Sequence, residues 1–416
     1  MSDVAGQVLS FMGTWTATST TALATSTQLT SVNPTHVSAL EASLSNAVVS
    51  LATVTSVGDI ISLSYVIRGA QASLTAVYAK QVVATATASL VQSQATHALW
   101  DATLQLQLLK WDMNLYDTWL NKGGNGFFTA VFLLLFVIHI VLMFILKYYY
   151  VGIALFCGIG LEWAGYLGRT LAADDTSNEQ YFLLQIVSLT IAPAFIMAAV
   201  YYYLAKLIVV HAKGRRFSRL KPTWYSFIFV FCDVLSLVVQ AIGGGMASVA
   251  SSEQKDPSSG TDVMIAGIAF QVFSMSLFAI TWIDFLYRVN FLASPEVTFS
   301  FKRLWALIIN SKGADEIRQK NEPFYVDQYR FIRQRTFFKW YPHAITWCII
   351  FIYIRCVYRV VELAQGWSGY LITHEEYVLT LDAMMVWFCV VLLALMHPMV
   401  MLGSNQRLPL SERQSD

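Results

Sequence analysis

From residue 126 onward the chain is a succession of apolar runs, each long enough to cross a bilayer as one helix. Seven can be read, at roughly 126–146, 149–168, 181–209, 224–249, 263–287, 340–362 and 377–402. One crossing takes about 20 apolar residues at ~1.5 Å of rise each. Hydrocarbon cannot hydrogen-bond a free backbone amide, so segments of this length cross as helices and not as open strands. The expected fold class is all-α: a polytopic membrane protein with seven transmembrane helices. The third and fourth runs exceed the minimum and leave length to tilt or to project from the bilayer.

Charge usage agrees. Only 13% of residues are charged, against about 25% in soluble domains. The net charge of +1 gives no basis for nucleic-acid binding. The five cysteines (Cys157, Cys232, Cys348, Cys356 and Cys389) all fall in the apolar runs, with neither a disulfide framework nor zinc spacing. They read as small buried hydrophobes. The first fifteen residues lack a basic region followed by an apolar core. No cleaved signal peptide is expected, and the first span does the targeting.

Basic residues fix the orientation of membrane helices by staying on the cytoplasmic side. Between spans three and four lie Lys213, Arg215, Arg216, Arg219 and Lys221. Between five and six lie Lys302, Arg303, Lys312, Arg318, Lys320, Arg330, Arg333, Arg335 and Lys339. The other long loops carry Asp174, Asp175 and Glu179, then Glu253, Lys255 and Asp256, then His374, Glu375 and Glu376. The alternation predicts an amino terminus outside and a carboxyl terminus in the cytoplasm.

Three regions follow. Residues 1–125 form an extracellular Ser/Thr/Ala-rich, helical leader, 126–402 the seven-helix domain, and 403–416 a short cytoplasmic tail. Within the leader, Val91, Ala95, Ala98, Ala102, Leu106 and Leu109 recur at helical spacing, and Gly123-Gly124 breaks the chain before the membrane. In the loop between spans five and six, Val297–Asn310 sets bulky apolar residues around Lys302-Arg303. That pattern suits a helix lying on the anionic lipids of the inner leaflet.

Seven ionisable residues sit within or at the edge of the apolar runs: Glu162, Arg169, Asp233, Arg355, Arg359, Glu362 and Asp382. A charge at the bilayer centre costs at least ~2.5–3.5 kcal/mol, so each must face a partner, water or a substrate. Glu162 and Arg169 are seven apart, as are Asp233 and Gln240; Arg355, Arg359 and Glu362 follow an i, i+4, i+7 stripe. Such stripes lie on one helix face and should point inward. Counting rise from the span ends puts Arg169, Arg359, Glu362 and Asp382 near the outer surface, with Glu162 and Asp233 deeper. Arg355 is level with Glu162, and no base is level with Asp233. The expectation is an outer cluster of ion pairs above a deeper acidic pair.

Helix breakers supply candidate kinks or gates at Pro193, at Gly243, Gly244 and Gly245, and at Pro398. No phosphate loop of the GxxxxGK[ST] type is present, so ATP drive by this chain is not expected. Of the histidines, His139, His343 and His397 fall in spans, and with a carboxylate they form a weak case for a zinc hydrolase. No cofactor or metal is expected otherwise, and nothing in the sequence specifies a protein partner.

Several motifs in order carry a resemblance. They are Glu162-Trp-Ala-Gly-Tyr-Leu-Gly-Arg169, Leu189-Thr-Ile-Ala-Pro193, Tyr202-Tyr203-Leu-Ala-Lys206, Phe229-Val-Phe-Cys-Asp233 running on to Gln240 and Gly245, and Arg355-Cys-Val-Tyr-Arg359-Val-Val-Glu362. Together they resemble the fungal RTA-like family of lipid-translocating exporters. Gly369-Tyr-Leu-Ile-Thr-His-Glu375, Asp382 and His397-Pro398 resemble its members that handle sphingoid bases. The resemblance covers about residues 126–402. It implies seven spans with the amino terminus outside, and export or outward flipping of sphingoid long-chain bases at the plasma membrane. The leader is longer, and the tail shorter, than the family's habit implies. Two other functions compete: a seven-helix receptor or sensor of lipid or membrane stress, since topology alone does not separate receptor from transporter, and the metal-dependent lipid hydrolase. On the transporter reading, Glu162 and Asp233 take the ammonium of the base and Gln240 a hydroxyl.

Overall fold

The computed structural model describes residues 29–211, 217–219, 221–252, 256–366 and 369–397. Lys213, Arg215, Arg216, Glu253, Lys255 and Pro398 lie outside the described residues, as do the tail and most of the Ser/Thr-rich leader stretch. The chain divides into two compact units, one comprising residues up to Asp117 with Ser248–Pro257, the other Thr118–Ala247 with Ser258 onward.

In the first unit, α1 (Val37–Leu51), α2 (Val57–Thr85) and α3 (Ser89–Asp112) form successive antiparallel hairpins. Alanine makes them close. Ala76 and Ala79 of α2 pack on Leu99 and Ala102 of α3, and Ala47 of α1 packs with Ile67 of α2. Of the stripe expected to be apolar, Ala95 and Ala102 are buried and Ala98, Leu106 and Leu109 half-buried, while Val91 is exposed. Tyr78 donates to Glu41 at 2.9 Å, and Arg68 lies 3.6 Å from Asp112.

The second unit is built from α4 (Lys122–Leu146), α5 (Tyr149–Ala172), α6 (Glu179–His211), α7 (Pro222–Ser252) as far as Ala247, α8 (Ser258–Phe291), two short helices α9 (Phe301–Ile309) and α10 (Lys312–Asn321), then α11 (Tyr341–Ala364) and α12 (Glu375–Leu395). Among the described residues each of the seven spans expected from sequence lies on a long helix, the seventh followed as far as Leu395. An eighth helix, Gly58–Thr85 of the first unit, also meets the length and hydropathy of a span, with the lowest mean hydropathy at 1.2. No strand occurs among the described residues, so the protein is an all-α, multi-pass integral membrane protein.

Local chemistry sets the ends. Asn121 caps α4 by accepting from the Gly124 amide at 3.1 Å. Arg333 closes the far end of α6, donating to the Val210 carbonyl at 2.7 Å while pairing with Glu322 at 2.8 Å. Asp284, in the cytoplasm-directed half of α8 by sequence position, is clasped by Arg219 and Arg288.

Glycine sets how closely the helices pack. On α5, a Cβ at Gly158 would stand 2.7 Å from Ile196 and one at Gly165 2.5 Å from Leu189, so α5 lies directly on the α6 backbone. On α7 the helix runs unbroken through Gly243-Gly244-Gly245. Only Gly243 is in a crossing: its face abuts the backbone of Gly260 and Met264 on α8, while Gly245 meets nothing within 4 Å. The run therefore closes a helix–helix contact and does not unwind the helix.

The α9 helix is amphipathic in the way its sequence implied. Leu304 and Leu307 pack against Phe291, Val297 and Ile317. His343, at the start of α11, donates to the Leu307 carbonyl at 2.8 Å. Phe301, Trp305, Ile308 and Ile309 stay exposed on the free side. The helix is thus tied to the ends of two spans with a bulky apolar face unpartnered.

The crossing predicts opposite outcomes for neighbouring glycines. Gly243→Ala drives a methyl into backbone that cannot move aside and lowers stability by about 1–3 kcal/mol. Gly245→Ala is neutral or stabilises by up to ~1 kcal/mol through helix propensity. Thermal unfolding of the two variants in detergent checks this.

Candidate functional site

Pro193 lies inside α6. Proline has no amide hydrogen, so the carbonyl four residues earlier, that of Leu189, loses its helical donor. An orphaned carbonyl at membrane depth must be satisfied from elsewhere. Arg355 of α11 does so, donating from Nη2 to the Leu189 oxygen. The same guanidinium pairs through Nε with Asp382 of α12, and its Nη2 lies 3.6 Å from Glu162 of α5. One side chain therefore joins four helices. Arg355 is 3% exposed, and Glu162 and Asp382 are fully buried.

Register explains why these groups meet. Glu162 and Arg169 on α5, Arg355 and Glu362 on α11, and Glu375 and Asp382 on α12 are each seven residues apart. Seven residues make two turns, ~10 Å, so the charges form two layers. The inner layer is Glu162, Arg355 and Asp382. In the outer layer, Arg169 pairs with Glu375 at 2.7 Å and donates to Asn125 of α4 at 2.9 Å, while Asn125 donates to Glu375 at 2.6 Å. Also there, Glu362 accepts from Arg359 at 2.6 Å and from the Tyr358 hydroxyl at 3.0 Å. Arg359 reaches back to within 3.9 Å of Asp382.

Two expectations are corrected. Arg169 is not neutralised by Glu362 or Asp382; its carboxylate is Glu375, which the sequence placed in a loop. Asp382 belongs with Glu162, not with the outer cluster. Both errors have one cause: α12 begins at Glu375 and passes through a π-helical turn, Val378–Ala383, that carries Asp382. The earlier start adds residues above Asp382, and the wide turn re-aims its side chain. The seven-residue step from Glu375 to Asp382 was the available sequence clue.

Asp233 and Gln240 stand apart from this network. Asp233 of α7 accepts from the Tyr201 hydroxyl of α6 at 2.9 Å and has no basic partner among the described residues. Gln240 bonds Gln271 of α8 at 3.3 Å rather than any carboxylate. Of the histidines, His139 spends Nδ1 on the Leu135 carbonyl and His343 spends Nε2 on Leu307. Among the described residues no three His, Cys, Asp or Glu side chains converge as metal ligands would.

The inner layer holds unused polar capacity. Neither oxygen of Glu162 accepts a hydrogen bond, and the fully buried Tyr166 hydroxyl, one turn along the same helix, has no partner. The Tyr166 ring is fixed by stacking on Phe132, with centroids 5.4 Å apart. Tyr166 lies within electrostatic range of Glu162 and Asp382. Sequence reasoning passed over Tyr166, Tyr201 and Asn125, because a tyrosine or asparagine in an apolar helix looks like packing until its neighbours are known.

Ionisable side chains buried among membrane-spanning helices are rare and mark sites that handle charge. The chain belongs to the family described as RTA1 like protein, whose pattern matches residues 155–405. The sphingoid long-chain base transporter RSB1 of Saccharomyces cerevisiae (strain YJM789) is 38% identical over 288 residues, spanning 68% of this chain and 73% of that protein. Protoporphyrin uptake protein 1 of Saccharomyces cerevisiae is 28% identical over 56% of this chain and 63% of its own length. Protein RTM1 of the same yeast is 26% identical over 56% and 62%. No solved structure matches. This company supports a membrane-transport, lipid-related function.

Removing Arg355 strands two buried carboxylates and the Leu189 carbonyl at once. Arg355→Ala is expected to destabilise the protein by about 3–5 kcal/mol, the cost of breaking a buried pair. Combining Arg355→Met with Glu162→Gln and Asp382→Asn removes the charges together and recovers most of that loss. Thermal unfolding in detergent measures both.

Proposed function

We propose that this protein moves sphingoid long-chain bases, or similar cationic amphiphiles, from the cytoplasmic to the outer leaflet of the plasma membrane, without enzymatic chemistry of its own. The carrying observation is Glu162: a fully buried carboxylate with no hydrogen-bond donor, 3.6 Å from its nearest guanidinium and beside an unpartnered tyrosine hydroxyl.

A long-chain base presents an ammonium, hydroxyl-bearing carbons and an alkyl tail. The tail is at home in lipid, so the head alone makes crossing costly. An ammonium entering the inner layer pairs with Glu162. A neighbouring hydroxyl of the base completes the hydrogen bonding of Tyr166. Asp233, held by Tyr201, offers a second carboxylate, with Gln240 as a further hydrogen-bonding group. The outer layer, with Arg169, Arg359, Glu362 and Glu375, carries the ordered charge past which the head departs. The tail stays between helices throughout.

The topology that serves this reading has residues 126–402 crossing seven times, a leader over 1–125 outside, and the basic loops in the cytoplasm. On it, α9 lies at the inner surface. Its exposed Phe301, Trp305, Ile308 and Ile309 enter the leaflet, and Lys302 and Arg303 meet anionic headgroups.

Two measurements check the proposal. Purified protein in liposomes accelerates flipping of a labelled long-chain base; rates equal to empty vesicles contradict it. Glu162→Gln slows flipping at least ~10-fold, equivalent to the loss of one buried ion pair worth ~1.4 kcal/mol or more, and Asp233→Asn slows it as well. Separately, reversing Lys302 and Arg303 to glutamate lowers the phosphatidylserine retained per protein on purification, at ~1 kcal/mol of attraction per basic residue.

A further inference from the structure

The buried cluster around Arg355 contains one more acid than base. Glu162, Glu362 and Asp382 face two guanidinium groups, those of Arg355 and Arg359. Arg169 does not balance it, because its charge is taken by Glu375. With every group ionised, the five residues hold one surplus negative charge in the protein interior. Such a charge needs a compensating cation.

The three acids are not equally placed to receive it. Asp382, like Glu162, accepts no hydrogen bond, but both guanidinium groups approach it and that of Arg355 is in direct contact. Glu362 accepts hydrogen bonds from Arg359 and Tyr358. Glu162 has one guanidinium at 3.6 Å and no hydrogen bond. The charged groups acting on it are Arg355 and Arg359 from α11 and Asp382 from α12; its own helix adds Tyr166. On α6 the nearby Leu189 carbonyl, which is engaged by the same Arg355, brings no charge. The surplus therefore falls on Glu162.

Building on the transport function proposed above, we infer that Glu162 carries a proton in the unloaded protein and exchanges it for the ammonium of the cargo. The exchange balances. The carboxyl O–H bond breaks, its electron pair stays on oxygen, and the proton passes to water. The resulting carboxylate pairs with the incoming R–NH3+, whose N–H bonds remain intact. On release the reverse occurs, with a proton taken from the outer side. Each cycle then carries one ammonium out and one proton in, with no net charge moved. The cluster is neutral in both loaded and unloaded forms, so neither form leaves a bare charge in the membrane. An acidic exterior would drive export.

Titration calorimetry on the full-length protein in detergent tests this, using at neutral pH a water-soluble short-chain analogue that keeps the amine and hydroxyls of a long-chain base. Binding heats are compared in two buffers of different ionisation enthalpy. The expected result is one proton released per base bound. Asp233→Asn retains the release; Glu162→Asp, which keeps a carboxylate, also retains it; Glu162→Gln binds at least tenfold more weakly and releases none. Binding by the wild-type protein without proton release overturns the exchange while leaving the transport proposal standing. Full release persisting in Glu162→Gln overturns the assignment to Glu162. Failure of the wild-type protein to bind the base at all overturns the transport proposal, and the exchange with it.

Discussion

Arg355 is the contact on which the rest of the inner site depends. Its guanidinium satisfies a backbone carbonyl on α6, pairs with Asp382 on α12 and attracts Glu162 on α5. Arginine suits this position because its planar fork of donors addresses several acceptors at fixed angles, which an ammonium does not. The backbone acceptor exists because Pro193 withholds an amide hydrogen. Proline in α6 and arginine in α11 are thus two halves of one device. The helix break expected at Pro193 is real as a missing hydrogen bond, yet α6 continues through it because the lost partner is replaced.

That arrangement leaves Glu162 under-served. Three helices compete for one guanidinium, and Glu162 receives the longest contact. A network built only to hold helices together would place its donors evenly. Here the outer layer is closely paired, with Arg169, Asn125 and Glu375 mutually bonded, while the inner layer keeps two acids and a phenol without hydrogen bonds, and of the acids only Asp382 has a guanidinium in direct contact. Close packing of α5 on α6 through Gly158 and Gly165 keeps lipid and water from filling the gap casually. The proposed binding of an amphiphilic amine rests on this loosely held buried acid.

Much of the fold was legible because hydrocarbon is a severe solvent. Seven of the long helices follow from apolar run length alone, and the seven-residue stripes of Glu162–Arg169 and Arg355–Glu362 point to inward faces. The pairing of those faces was less legible. It depends on where α12 begins and on a π-helical turn around Asp382, and neither leaves a mark in hydropathy. Glu375 looked like an external loop acid because it follows His374 and precedes an apolar run. The glycine run at Gly243–Gly245 looked like a hinge, since glycine permits both unwinding and close approach. Only the neighbouring backbone of α8 shows which use it serves. Tyr166 and Tyr201 were hidden in plain aromatic stretches, their roles set by the acids they face.

The account turns on Glu162 as the buried acid that meets the cargo. A hydrophobic carbodiimide enters bilayers and labels carboxyl groups there only while they carry a proton. Mass spectrometry of the protein in liposomes after such treatment should find Glu162 modified, and a long-chain base added beforehand should protect it. Glu162 unmodified, or modified equally with and without the base, would contradict the account.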